Sequence, residues 1–181
     1  IKRLLDVAAA STGVVLSAPL MLGIAAAIKA TSRGPALYKQ RRAGMITGDH
    51  GVHFEEFWLY KYRTMVQDAE SDTGVTLAKK GDSRVTLIGG FLRRTRLDEL
   101  PQFFNILKGE MSLVGPRPER PEMIRNLSLA IPFFEERMRL INAGLTGRAQ
   151  ISLGDSGRRK DATGVGSHYA ARAHSFAAGR T

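Results

Sequence analysis

The sequence predicts a mixed α/β protein, mainly α-helical: a long apolar membrane helix, then a small domain with amphipathic interfacial helices and one short β-hairpin. Three stretches predict it. Val7 to Ile28 is 22 residues without a charge. Ala36–Gln40 and residues 53–60 are short strand-like runs around a loop holding Gly44, Gly48 and Gly51. Basic segments from Leu87 onward lead into Leu97-Asp98-Glu99-Leu100-Pro101, a helix start.

A chain of 181 residues is long enough for one domain with a real core. It carries 27 Lys and Arg against 17 Asp and Glu, a net charge of +10. Such a surface suits a polyanion: nucleic acid, an anionic bilayer or a phosphorylated substrate. With no cysteine there is neither a disulfide framework nor a thiolate metal site. His50, His53, His168 and His174 form no helical ligand pair. The chain opens on Ile1 rather than Met, which leaves room for an upstream part.

At 1.5 Å per residue, Val7–Ile28 could cross a hydrocarbon core of about 30 Å. The apolar core of a signal peptide is shorter, about 7–15 residues. An ordinary buried helix is seldom apolar on every side. Lys2 and Arg3 precede the run, and Lys29, Arg33, Lys39, Arg41 and Arg42 follow it, so charge sets no orientation. Pro19 near its middle should kink or break the helix, with Ser17 free to satisfy a released carbonyl. A segment that bends and returns to the same face explains both features; a single kinked crossing is the other possibility.

Further on, Tyr60-Lys61-Tyr62-Arg63-Thr64-Met65 interleaves cations with aromatics, which is ordinarily a solvated edge strand. Residues 67–83 read as a mobile polar loop. Leu87–Leu97 reads as a basic amphipathic helix with Leu87, Phe91 and Leu92 on one side, suited to a headgroup layer. Asp98 and Glu99 then open a helix of about 98–108, with Pro101 in its first turn and Lys108-Gly109 at its end. N-capping alone would explain the two carboxylates, at about 0.5–1 kcal/mol each. A chemical reading gives them different jobs, a nucleophile and a metal ligand or base. Adjacent residues on a helix diverge too far for a matched acid and base.

Prolines on both sides of Arg117 hold its guanidinium in place, as recognition of a phosphate would need; a proline-rich turn with one solvated arginine is the plainer reading. Residues 121–141 read as helical with an interruption at Pro132 and a core-facing stripe of Phe133, Phe134, Met138 and Ile141, closed by Gly144–Gly147. From Gly154 to Thr181 the composition reads as disordered.

Together these pieces resemble the monotopic phosphoglycosyl transferases of bacteria, the sugar-transferase family that starts glycan assembly. The resemblance rests on Lys2-Arg3 and Asp6 before the apolar run, Gln40-x-Arg42-x-Gly44, Tyr60–Met65, Leu97-Asp98-Glu99-Leu100-Pro101-Gln102, Asn105-x-Leu107-Lys108-Gly109-Glu110-Met111-Ser112, Gly115-Pro116-Arg117-Pro118, and Gly144-Leu145-Thr146-Gly147-x-Ala149-Gln150. It covers about residues 1–150. It implies a re-entrant membrane helix (1–33) that breaks around Ser17 and Pro19, a catalytic domain (34–150) and a divergent or poorly ordered tail (151–181).

The implied reaction moves a phospho-sugar from a UDP-sugar to polyprenyl phosphate, releasing UMP. Asp98 matches the nucleophile of a covalent aspartyl-phosphosugar intermediate, and Glu99 its dyad partner. Mg²⁺ is the implied cofactor, with Asp98 and Glu99 as its ligands. Lys61, Arg63, Arg96, Arg117 and Gln150 are the implied substrate-binding residues. Membrane lipid is an implied partner and nucleic acid is not; the place implied is the cytoplasmic face of the bacterial inner membrane. The residue chemistry agrees, since a metaphosphate-like centre needs cations around it and a helix N-terminus would keep Asp98 ionised.

The chain departs from the family pattern at Ala18 before Pro19, at Asn142-Ala143 where Arg-Pro is usual, and beyond Gln150. Two other classes fit parts of the sequence: a non-catalytic basic membrane scaffold, whose binding would ignore Asp98 and weaken with salt, and a nucleic-acid binder, which would have no use for Val7–Ile28. Oligomerisation is possible and carries no sequence signal.

Overall fold

The computed structural model describes residues 1–46, 54–67, 69, 81–130 and 134–147. Outside these lie most of the 67–83 loop, Gly48, Gly51, His50, His53, Pro132, Phe133, Gln150 and the 151–181 tail with His168 and His174. The described part is mixed α/β and about half helical. Its elements are α1 (Lys2–Thr31), β1 (Leu37–Ile46), β2 (Phe54–Tyr62), α2 (Leu87–Thr95), a 3₁₀ turn (Leu97–Glu99), α3 (Gln102–Lys108), β3 (Met111–Val114), α4 (Pro121–Ala130), a second 3₁₀ turn (Phe134–Met138) and β4 (Ala143–Thr146). They fall into two compact units, residues 1–40 with 59–107, and residues 41–58 with those from 108 on.

In the first unit α1 runs 30 residues, about 45 Å. It is the one helix among the described residues long and apolar enough to cross a membrane. It continues through Pro19. Ser17 does not serve the carbonyl that Pro19 leaves free: its hydroxyl donates to Gly13 O at 2.6 Å, whereas the lost amide would have reached Val15. One stripe of α1 faces the unit, including Asp6, Ala10, Ile24 and Ile28. At Gly13 an added Cβ would stand 2.9 Å from the Phe103 ring, so glycine lets α3 approach. Leu4, Leu5, Val15, Leu16, Leu20 and Leu22 point outward and are exposed.

The core of this unit joins Ile24 and Ile28 of α1 to Ala36, Tyr62 and Leu92, with Met21, Ile88, Leu97 and Leu100 around them. Thr86 caps α2 by accepting the Gly89 N–H at 3.0 Å. Gly89 lies so close to residue 64 that a Cβ would sit 2.0 Å from the Thr64 carbonyl oxygen. The apolar sides of α2 differ from the expectation: Leu92 is 1% exposed, while Leu87 is 95% and Phe91 58% exposed. Positions 88 and 92 form the inward row, and 87 and 91 the outward one, because i and i+4 share a face.

β1 and β2 make a two-stranded sheet, and both run further than the sequence suggested. Gly44 belongs to β1 rather than to the loop, since a Cβ there would meet the Glu55 carbonyl at 2.8 Å.

The second unit is built on a parallel pair, β3 with β4, in the register Met111 to Ala143 and Val114 to Thr146. Added Cβ atoms would stand 2.1 Å from Gly115 N at Gly144 and 2.3 Å from Asn142 O at Gly115, so the two chains cross where only glycine fits. Asn142 donates to Gly109 O at 3.1 Å. The expected 121–141 helix is α4 followed by a separate 3₁₀ turn. Of its stripe, Met138 is buried and Ile141 is exposed.

Candidate functional site

The expected 98–108 helix is two elements. Glu99 N–H reaches Arg96 O at 3.2 Å and Leu100 N–H reaches Leu97 O at 3.4 Å, three residues back in each case. Pro101 has no N–H to extend an α-helical ladder, so the chain tightens before α3 begins at Gln102. Asp98 therefore sits inside a 3₁₀ turn rather than capping an α-helix. Arg96 joins α2 to that turn with φ 61°, a left-handed conformation costing on the order of 1 kcal/mol without glycine.

The turn buries the Asp98 side chain. Its Oδ1 is buried without a hydrogen-bond partner among the described residues. Burial pushes the carboxyl above its ordinary value; Lys61, the residue's own backbone N–H, Arg93 and Arg96 pull the other way. The terminus beside it is that of a 3₁₀ turn rather than an α-helix, and the Asp98 backbone N–H acts together with the neighbouring cations. Glu99 is half-buried and its Oε1 lies 3.6 Å from Arg96 Nη1. The first unit thus gathers Asp98, Glu99, Lys61, Arg93 and Arg96.

Arg63 has a structural task. It is buried, and its guanidinium donates to Arg33 O, to Ser32 O at 3.1 Å and to Ser32 Oγ at 2.8 Å, closing the C-terminus of α1. Arg3 does the same for α3, donating to Ile106 O and, at 2.8 Å, to Leu107 O. Asn105, fully buried, accepts the Tyr60 N–H at 3.0 Å and ties α3 to the residue before Lys61. Its signals in the sequence were its place at the head of the Asn105–Ser112 motif and its polarity within the run Phe103–Leu107.

Arg117 lies in the second unit and is half-buried. Its neighbours are anchored: Pro116 O accepts Gly144 N–H at 2.8 Å, Pro118 O accepts from Arg42 Nη1 at 3.2 Å, and Glu119 O accepts Ala43 N–H at 3.0 Å. Gln150 lies outside the described residues.

Among the described residues no three His, Cys, Asp or Glu side chains converge as a metal cage. Two adjacent carboxylates, one with a buried orphan oxygen, nevertheless suit Mg²⁺. That ion commonly takes one or two carboxylates and completes its shell with water and substrate phosphates.

The model of the bacterial sugar transferase family matches residues 1–176. A UDP-N-acetylgalactosamine-undecaprenyl-phosphate N-acetylgalactosaminephosphotransferase of Aeromonas hydrophila is 43% identical over 154 residues, covering 85% of this chain and 34% of that protein. A UDP-glucose:undecaprenyl-phosphate glucose-1-phosphate transferase of Caulobacter vibrioides is 45% identical, covering 83% of this chain and 53% of its own length. An exopolysaccharide production protein of Rhizobium leguminosarum is 37% identical, covering 83% and 73%. The chain thus spans about a third of the Aeromonas protein and about half of the Caulobacter one. A family match running through the Asp98 turn and both units shows that the chain belongs to the bacterial sugar transferase family.

Proposed function

We propose that this chain transfers a phospho-sugar from a UDP-sugar to polyprenyl phosphate, undecaprenyl phosphate in a bacterium, through a covalent intermediate on Asp98. The observation that carries the reading is the Asp98 carboxylate, buried with an orphan oxygen and surrounded by Lys61, Arg93 and Arg96. The names of the relatives support the substrate class.

In the first step a carboxylate oxygen of Asp98 attacks the phosphorus that carries the sugar. An acyl-phosphate O–P bond forms, the bridging O–P bond breaks, and its electron pair leaves with UMP. In the second step an oxygen of polyprenyl phosphate attacks the same phosphorus. The Asp98 carboxylate leaves unchanged and the product is a polyprenyl diphosphosugar. Lys61, Arg93 and Arg96 neutralise charge on the phosphoryl oxygens, where preorganised cations lower a barrier most. Bound at Asp98 and Glu99, Mg²⁺ would add charge neutralisation for the diphosphate. Arg117 and Gln150 are assigned to substrate binding, and Arg63 acts indirectly by holding strand β2 to the end of α1.

The same reading puts α1 in the cytoplasmic leaflet of the inner membrane, re-entrant through a bend at Pro19 within a helix whose residues stay helical on both sides. The outward Leu87 and Phe91 of α2, with exposed Arg94 beside them, suit a headgroup layer.

A panel of UDP-sugars with polyprenyl phosphate and Mg²⁺ tests the reading through UMP release. One sugar should release UMP, EDTA should stop it, added Mg²⁺ should restore it, and Asp98→Asn should abolish it. Release by Asp98→Asn at the parent's rate would remove the assignment.

A further inference from the structure

Lys61 is the foremost of the cations that oppose the burial of Asp98. Its side chain has four rotatable bonds, and a flexible ammonium stabilises a phosphoryl centre poorly unless something orders it. The backbone around it is already pinned. Tyr60 N–H donates to Asn105 Oδ1 at 3.0 Å, Tyr62 Oη to Met21 O at 2.8 Å, and Arg63 N–H to Ala36 O at 2.8 Å. The strand opposite gives the side chain a contact that restrains it. Lys61 Nζ lies 5.5 Å from the centroid of the Tyr38 ring, within the range of a cation–π contact. The ring has its own neighbour, since buried Gln40 places Nε2 3.5 Å from the Tyr38 hydroxyl.

We propose that Tyr38 is a positioning residue for the transfer reaction: its π face holds the Lys61 ammonium in place beside Asp98. Tyr38 touches neither substrate nor reacting atoms in this scheme; it acts through Lys61. The inference rests on the reaction proposed above and gives a reason for an aromatic residue at position 38, which the motif reading did not include.

The test is a double-mutant cycle. Tyr38→Leu keeps apolar bulk and loses the π face, so kcat should fall about tenfold with KM for the UDP-sugar little changed. Tyr38→Phe keeps the π face and should stay within about threefold of the parent. In a Lys61→Met background, Tyr38→Leu should cost nothing further. An equal cost in both backgrounds, or a loss confined to KM, would show that Tyr38 packs or stacks on substrate and would overturn the proposal.

A second readout does not depend on turnover. With lysine ¹³Cε labelling, the Lys61 resonance should be ring-current shifted in the parent and in Tyr38→Phe and should lose that shift in Tyr38→Leu. A shift unchanged in Tyr38→Leu would also overturn the proposal. If Asp98→Asn keeps full activity while the ring-current shift behaves as expected, the reaction scheme fails and the stacking stands.

Discussion

At Asp98 the protein holds an ionisable group where water would not choose to put a charge. Because burial raises its folded-state pKa, the carboxylate costs stability once the pH exceeds its unfolded value, about 3.9, and costs nothing below it. Asp98→Asn should therefore melt higher than the parent at pH 7, and the gain should fade as the pH falls toward about 4 and be gone below it. In the proposed reaction the same shift sets the acid limb of activity, since Asp98 must be ionised to attack. Lys61→Met removes the foremost opposing charge, so that limb should move to higher pH, as a kcat/KM profile would read. Two adjacent carboxylates ahead of a proline were legible in the sequence as the start of a helical turn, and the structure puts both in a 3₁₀ turn. The type of turn was not legible, because the choice between bonds three and four residues back was decided by the missing amide of Pro101. The structural task of Arg63, capping the end of α1, was not legible, because nothing in its aromatic run points to Ser32.

At the scale of elements, two neighbouring glycines of α2 separate close packing from simple flexibility. A Cβ at Gly89 would meet the Thr64 carbonyl at 2.0 Å, whereas one at Gly90 finds nothing nearer than Val85 at 3.9 Å. Gly89→Ala should destabilise by about 1–3 kcal/mol or more, through overpacking against backbone that cannot yield. Gly90→Ala should stabilise by about 0.5–1 kcal/mol, because the helix interior is relieved of glycine's entropy. Chemical denaturation of the two variants checks both signs. The helices and the hairpin were visible in sequence through capping residues and apolar runs. The β3–β4 pair was not. Strands of four residues carry too little pattern, and their partners are joined only by a long crossover. Gly115 and Gly144, where the chains touch, were the only trace, and they read equally well as turn residues.

For the whole molecule, the proposed membrane residence rests on the outward side of α1 and the exposed Leu87 and Phe91. Hydrophobic insertion is insensitive to ionic strength, while attraction of a +10 surface to anionic lipid is screened over about 10 Å at 0.1 M salt. Vesicle flotation should show binding that survives 1 M salt and is lost in detergent. Leu87→Asp with Phe91→Asp should weaken that binding without unfolding the chain, because both side chains are already exposed. Release by salt alone would mean that the basic surface, and not α1, holds the membrane.

The central claim is the covalent step on Asp98, and intact-mass spectrometry after mixing with UDP-sugar and Mg²⁺, without lipid acceptor, addresses it most directly. The account predicts an adduct of one phospho-sugar per chain, UMP in equal amount, no adduct on Asp98→Asn, and loss of the adduct when polyprenyl phosphate is added. Lipid-dependent turnover with no adduct at any time before the acceptor arrives, or an adduct retained by Asp98→Asn, would contradict it.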